Sequence, residues 1–123
     1  AELDDVWAAC SGEFLMFGCR EVGTTSYDVL AMGESAEVLT VTGRGNTTHN
    51  HNGVEWYYDT NYSMGFANGG DSVSRNSCDT ASSNGESRIC WHTSGNRLNY
   101  GWRCGAETDL NSSSAWERVI WTR

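Results

Sequence analysis

The sequence predicts an all-β fold, an antiparallel sandwich or barrel of about eight short strands with one short N-terminal helix. Three observations predict it. Short apolar runs alternate with polar residues at the period of two that a strand imposes. Asn-Gly dipeptides, which tolerate positive φ in tight hairpin turns, recur at 52–53, 68–69 and 84–85. The 123 residues hold no Pro, and no linker or charge run divides them, so residues 1–123 are expected to form a single domain.

Leu3, Val6, Trp7 and Cys10 fall at the spacing of an apolar helical stripe, with Asp4 and Asp5 at the negative-favouring N-terminus and Gly12 as a stop. Phe14 to Arg20 has apolar residues on both faces and reads as a central strand. Tyr27 to Met32 and Val38 to Thr42 follow, divided by the turn material Gly33-Glu34-Ser35. Val54 to Asp59, Ser63 to Ala67, Ser87 to Thr93, Tyr100 to Cys104 and Trp116 to Trp121 complete the strands. The Ser- and Asn-rich stretch from Asp71 to Glu86 is expected to be a surface loop tied down at Cys78. Trp56–Phe66 and Trp91–Trp102 share a loose layout, best explained as two similar hairpins on one sandwich. Trp7, Trp116 and Trp121 are assigned to the core.

The net charge of -8, with Arg as the sole basic residue, argues against nucleic acid and against docking on an anionic membrane. No apolar run approaches the ~20 residues of a membrane span. Cys10, Cys19, Cys78, Cys90 and Cys104 form no Cys-x-x-Cys pair and suit disulfides in an oxidising compartment, so the chain is expected to be secreted. Five is odd, which leaves one thiol free or bridging to another chain. The expectation is that Cys78, Cys90 and Cys104 lie close in space. Three sequons, at Asn46, Asn61 and Asn111, are candidate glycosylation sites.

Two segments carry the chemistry. The first, from Asn46 to Tyr62, holds His51, Asn52, Trp56, Tyr58 and Asp59; strand alternation sets Trp56 and Tyr58 against Tyr57, so at least one ring is expected to face water. The second holds Trp91, His92, Arg97, Asn99, Tyr100 and Trp102. An open ring face matches the C–H patch of a sugar, and amide, carboxylate, imidazole and guanidinium groups match its hydroxyls. Burial in the core is the competing account for Trp56, Trp91 and Trp102. His49-x-His51 is a possible zinc pair, with His92 or Asp59 as third ligand, and Asp71, Asp79 and Asp109 offer calcium oxygens without a spaced loop. Glu55 with Asp59, or Glu107 with Asp109, are chance-level glycosidase pairs, and no nucleophile or phosphate-loop motif occurs, so no enzyme is expected. Arg20, Arg88, Arg97, Arg103 and Arg118 are expected to pair with carboxylates and carbonyls.

Arg88-Ile89-Cys90-Trp91-His92 and Gly101-Trp102-Arg103-Cys104-Gly105 come in order after Cys10-Ser11-Gly12, Gly18-Cys19-Arg20 and Ser63-Met64-Gly65-Phe66-Ala67. Together these strings resemble a secreted module of marine invertebrates, notably sponges, and of some bacterial extracellular proteins. The resemblance spans Cys10 to Ile120; Met64 stands where the module's pattern has Trp. It implies an extracellular, disulfide-bearing domain and transfers no site residue. The function expected is a carbohydrate-binding protein, a lectin without cofactor, its weak sites combined by avidity in a homo-oligomer, with the unpaired Cys as one route to assembly. The alternatives are a non-catalytic extracellular adhesion domain that binds protein, and a carrier of a small hydrophobic ligand.

Overall fold

A computed structural model describes residues 12–73, 87–93 and 101–123. The expected N-terminal helix, Cys10, Cys78, the 84–85 turn, Arg97, Asn99 and Tyr100 lie outside the described residues. The chain is all-β. Its elements are β1 (Phe14–Glu21), β2 (Val29–Glu34), a single helical turn α1 (Ser35–Val38), β3 (His49–His51), β4 (Val54–Tyr58), β5 (Ser63–Asn68), β6 (Ile89–His92), β7 (Trp102–Cys104), a 3-10 turn (Leu110–Ser112) and β8 (Trp116–Thr122).

Two antiparallel sheets result, one ordered β2-β1-β8 and one ordered β3-β4-β5-β6-β7. In the three-stranded sheet β1 is central, and its odd residues Leu15, Phe17 and Cys19 face the second sheet and are fully buried. Phe17 meets Trp56 edge-on at 5.6 Å and Trp91 at 5.5 Å between ring centroids, and Trp56 lies 5.1 Å from Phe66. These rings, with Ile89, Met64, Trp102 and Leu110, form the main core. The register that opposes Trp91 to Trp102, and Trp56 to Phe66, puts each pair on one face.

Cys19 of β1 and Cys104 of β7 join the sheets by a disulfide across 85 residues of chain. Cys90 is disulfide-bonded as well. Cys90 and Cys104 are close in space, as expected, on the adjacent strands β6 and β7, but they belong to opposite faces of their sheet, Cys104 in the main core and Cys90 in a second cluster. That second cluster, Tyr57, Ala67, Val73 and Cys90, is buried on the far face of the five-stranded sheet. Here the Tyr57 hydroxyl donates to the Ile89 carbonyl, and Arg88 donates to the Ser72 carbonyl, drawing the 71–73 segment over the sheet.

Two sequence expectations fail here. Val38 to Thr42 is not a strand: Ser35–Val38 closes one helical turn, Thr40 Oγ1 bonds back to the Ala36 carbonyl, and Thr42 exchanges backbone and side-chain hydrogen bonds with Tyr58 of β4. The apolar alternation there reflects Val38 entering the core while Val41 is exposed. Asn68-Gly69 forms a turn closed by Asp71 N–H on the Asn68 carbonyl, but a long connection to β6, not a hairpin, follows it. Asn52-Gly53 behaves as expected, both residues having positive φ between β3 and β4.

Removing the inter-sheet bridge frees a long loop in the unfolded chain. The C19A/C104A variant should lose about 3–4 kcal/mol of stability, read as a lowered urea midpoint.

Candidate functional site

The rings expected to meet a ligand are in the interior. Trp56 and Trp91 are each 1% exposed, Trp102 6% and Tyr58 9%. The reason is that the five-stranded sheet is covered on both faces, so alternation exposes neither Trp56 and Tyr58 nor Tyr57. The Trp102 indole N–H donates to the Leu110 carbonyl, which fixes it as a core residue. These four residues are therefore corrected from ligand contacts to packing residues.

The polar members divide between two ends of the sheet. His51 and Asn52 lie at the β3–β4 turn, whereas Asp59 and His92 lie at the opposite end of β4. There the two sequence segments do converge. Thr93 Oγ1 donates to the Asp59 carbonyl, Thr93 N–H donates to the Tyr62 carbonyl, and the Tyr62 ring lies 6.5 Å from His92 and 6.0 Å from the Arg44 guanidinium. Asn61, in the same turn, is exposed, as are Asn46 and Asn111.

His49 and His51 point to one side of β3, as their spacing predicts, but neither His92 nor Asp59 joins them. Glu37 of α1 does, 2.5 Å from His49 Nε2 and 3.9 Å from His51 Nδ1. The contact fastens α1 to β3. Among the described residues no group of three His, Cys, Asp or Glu is arranged to hold a metal ion. Glu55 is a buried carboxylate that accepts from Thr48 Oγ1 at 2.8 Å, from Asn50 Nδ2 and from Gly70 N–H at 3.1 Å. The Asn50 bond first, then those from Gly70 and Thr48, hold its pKa below the ordinary value. With those donors engaged it anchors two loops.

The arginines take varied partners. Arg20 Nε donates to Glu117 Oε1 at 2.6 Å, and Arg103 donates twice to the Gly105 carbonyl. Arg118 meets no carboxylate among the described residues; its guanidinium lies 5.4 Å from the Trp91 ring and 5.3 Å from the Trp102 ring, and burial pushes its pKa down to about 10. It remains a cation at neutral pH.

Among the described residues an open apolar surface lies where composition did not single one out. The even residues of β1 and β2 and the odd residues of β8 share the outer face of the three-stranded sheet: Met16 opposes both Met32 and Trp121, and Gly18 opposes Leu30 and Val119. Met32 is 55%, Leu30 49% and Trp121 40% exposed, which corrects the assignment of Trp121 to the core. A shallow hollow of about 430 Å³ lies among Phe14, Met16, Met32, Trp121, Thr122 and Arg123. Tyr27 packs over Gly18, where a Cβ would stand 2.9 Å from its ring, and meets Trp121 at 5.1 Å with the rings 80° apart. Arg20 covers a face of Tyr27 at 4.6 Å. The sequence carries the signal, since Phe14 to Arg20 is apolar on both faces, but a central strand position does not say whether both faces are covered.

No known protein family, curated protein or solved structure matches this chain.

Two outcomes check these placements. Trp56→Ala should destabilise the fold by about 3–5 kcal/mol, whereas Trp121→Ala should leave the unfolding free energy, read from urea denaturation, within about 1 kcal/mol of the parent. The lowered Glu55 pKa stabilises the fold above the unfolded value of 4.5, and that contribution is lost as pH falls through the folded value. Glu55→Gln should therefore lower the urea midpoint at neutral pH and flatten its decline below about pH 4.5, measured across an acid titration.

Proposed function

We propose that this chain is a non-catalytic extracellular binding domain that recognises a protein partner through the outer face of its three-stranded sheet. The observation that carries the reading is that Leu30, Met32 and Trp121 are left open together on a chain of net charge -8. Solubility favours polar side chains at such positions, so a contiguous apolar face is a surface kept for a contact. Its chemistry favours protein over sugar. Trp121 offers an open ring, whereas Tyr27 stands nearly perpendicular to it and is stacked by Arg20. The polar groups beside the rings, Arg20 and Glu117, already satisfy each other. Met16 and Met32 bring flexible thioethers that mould to an irregular apolar partner. Glu34 and Asp28 at the ends of β2 give the face an acidic margin, which suits a partner with a basic rim. The resemblance to a secreted module and the Cys19–Cys104 bridge support an extracellular setting.

The lectin reading loses the rings on which it stood. What favours it as a second reading is the end of the five-stranded sheet where Arg44, Asp59, Tyr62 and His92 gather around one half-buried ring. The exposed Asn61 stands in that same turn, so glycosylation there would crowd a sugar site.

The test separates the two. Binding to a panel of purified extracellular-matrix proteins should fall about tenfold or more in the L30E/M32E variant, persist in excess free monosaccharide, and leave the circular dichroism spectrum unchanged. Binding that free sugars abolish, and that L30E/M32E leaves intact, would replace the protein-docking reading with the lectin one.

A further inference from the structure

The backbone of β8 points to a second contact, independent of the outer face. Phe14 and Arg123 exchange both backbone hydrogen bonds, and Val22 N–H donates to the Ala115 carbonyl. In an antiparallel ladder the bonded residues alternate, so the odd residues of β8 bond to β1. The N–H and C=O groups of Trp116, Arg118, Ile120 and Thr122 therefore face away from β1, on the outer edge of the sheet. No described residue bonds to that edge. It runs for seven residues, against three in each edge strand of the other sheet. Edge strands are commonly blunted by Pro, Lys or a bulge; β8 has no Pro or Lys and pairs with β1 residue for residue from Trp116 to Thr122. A charged side chain pointing inward is a further guard, and Arg118 is such a residue, so the partner must accommodate it.

We propose that the partner of this edge is β8 of a second copy of the chain, paired antiparallel about Ile120, so that two three-stranded sheets become one of six. The sequence of β8 is self-complementary in this register. Glu117 falls opposite Arg123 of the second copy, Val119 opposite its Trp121, and Ile120 opposite its Ile120. Each pair stands on one face because residues of like parity oppose each other. Three residues per copy, Arg118, Ile120 and Thr122, exchange hydrogen bonds across the joint. Arg118 falls opposite Thr122 of the second copy on the inner face. Arg118 Nη1 is buried without a hydrogen-bond partner, and a facing hydroxyl gives it an acceptor. Thr122 Oγ1 accepts from Gly12 N–H at 2.9 Å and keeps a second lone pair for this bond. The joint is isologous and closes at two copies. It needs no intermolecular disulfide, and it merges the two outer faces along the Trp121 rows.

Sedimentation of the protein with its free thiol alkylated distinguishes this contact from a thiol bridge. A reversible dimer is expected. Thr122→Pro removes one edge N–H per copy while leaving the β1 ladder, whose bonds fall on odd residues, and should weaken the dimer about tenfold or more. Glu117→Arg should weaken it by opposing Arg123, and E117R/R123E should restore association to within about threefold of the parent. The swap does not rebuild the Arg20 contact, so rescue reports the joint itself. A monomer at every concentration, dimers lost on alkylation, or dimers indifferent to both T122P and E117R would overturn the proposal.

Discussion

Phe17 is the contact on which the arrangement of this small domain depends. It projects from the central strand of one sheet between two indoles of the other, Trp56 and Trp91. A chain of this size buries a modest share of its surface, and large rings supply more apolar area per residue than aliphatic side chains do. Once those rings fill the space between the sheets, they are not available to a ligand. The same constraint explains Arg118. Its long side chain crosses the end of the core, and the negative faces of Trp91 and Trp102 offset the cost of burying a charge without a carboxylate.

Much of the fold was legible in the residues. The run Phe14–Arg20, apolar on both faces, marks β1, Val54–Asp59 and the alternation in Trp116–Trp121 mark β4 and β8, and Asn52-Gly53 marks the turn between β3 and β4. The β3 strand was not legible, because His49-Asn50-His51 has no apolar residue and is held by pairing to β4 and by Glu37. Val38–Thr42 was misread because a single helical turn that buries only Val38 leaves an apolar spacing like that of a strand.

The site was less legible for a physical reason. Period-two alternation says which residues share a face, but not what covers that face. In the five-stranded sheet both faces are covered, one by β1 and its neighbours and the other by the segment around Val73. In the three-stranded sheet one face is open. Apolar residues on both sides of a strand therefore had opposite meanings in the two sheets, and Trp56 and Trp121 exchanged the roles that composition gave them.

The bridge between Cys19 and Cys104 encloses the last residues of β1 and all of β2 through β7 within one covalent ring. Loops outside the ladders, including the Thr40–Thr48 stretch, lie inside that ring. A single cleavage by a protease anywhere between the two cysteines opens the ring but releases no fragment. A domain built this way can be nicked in a degradative environment and still keep its two sheets clasped.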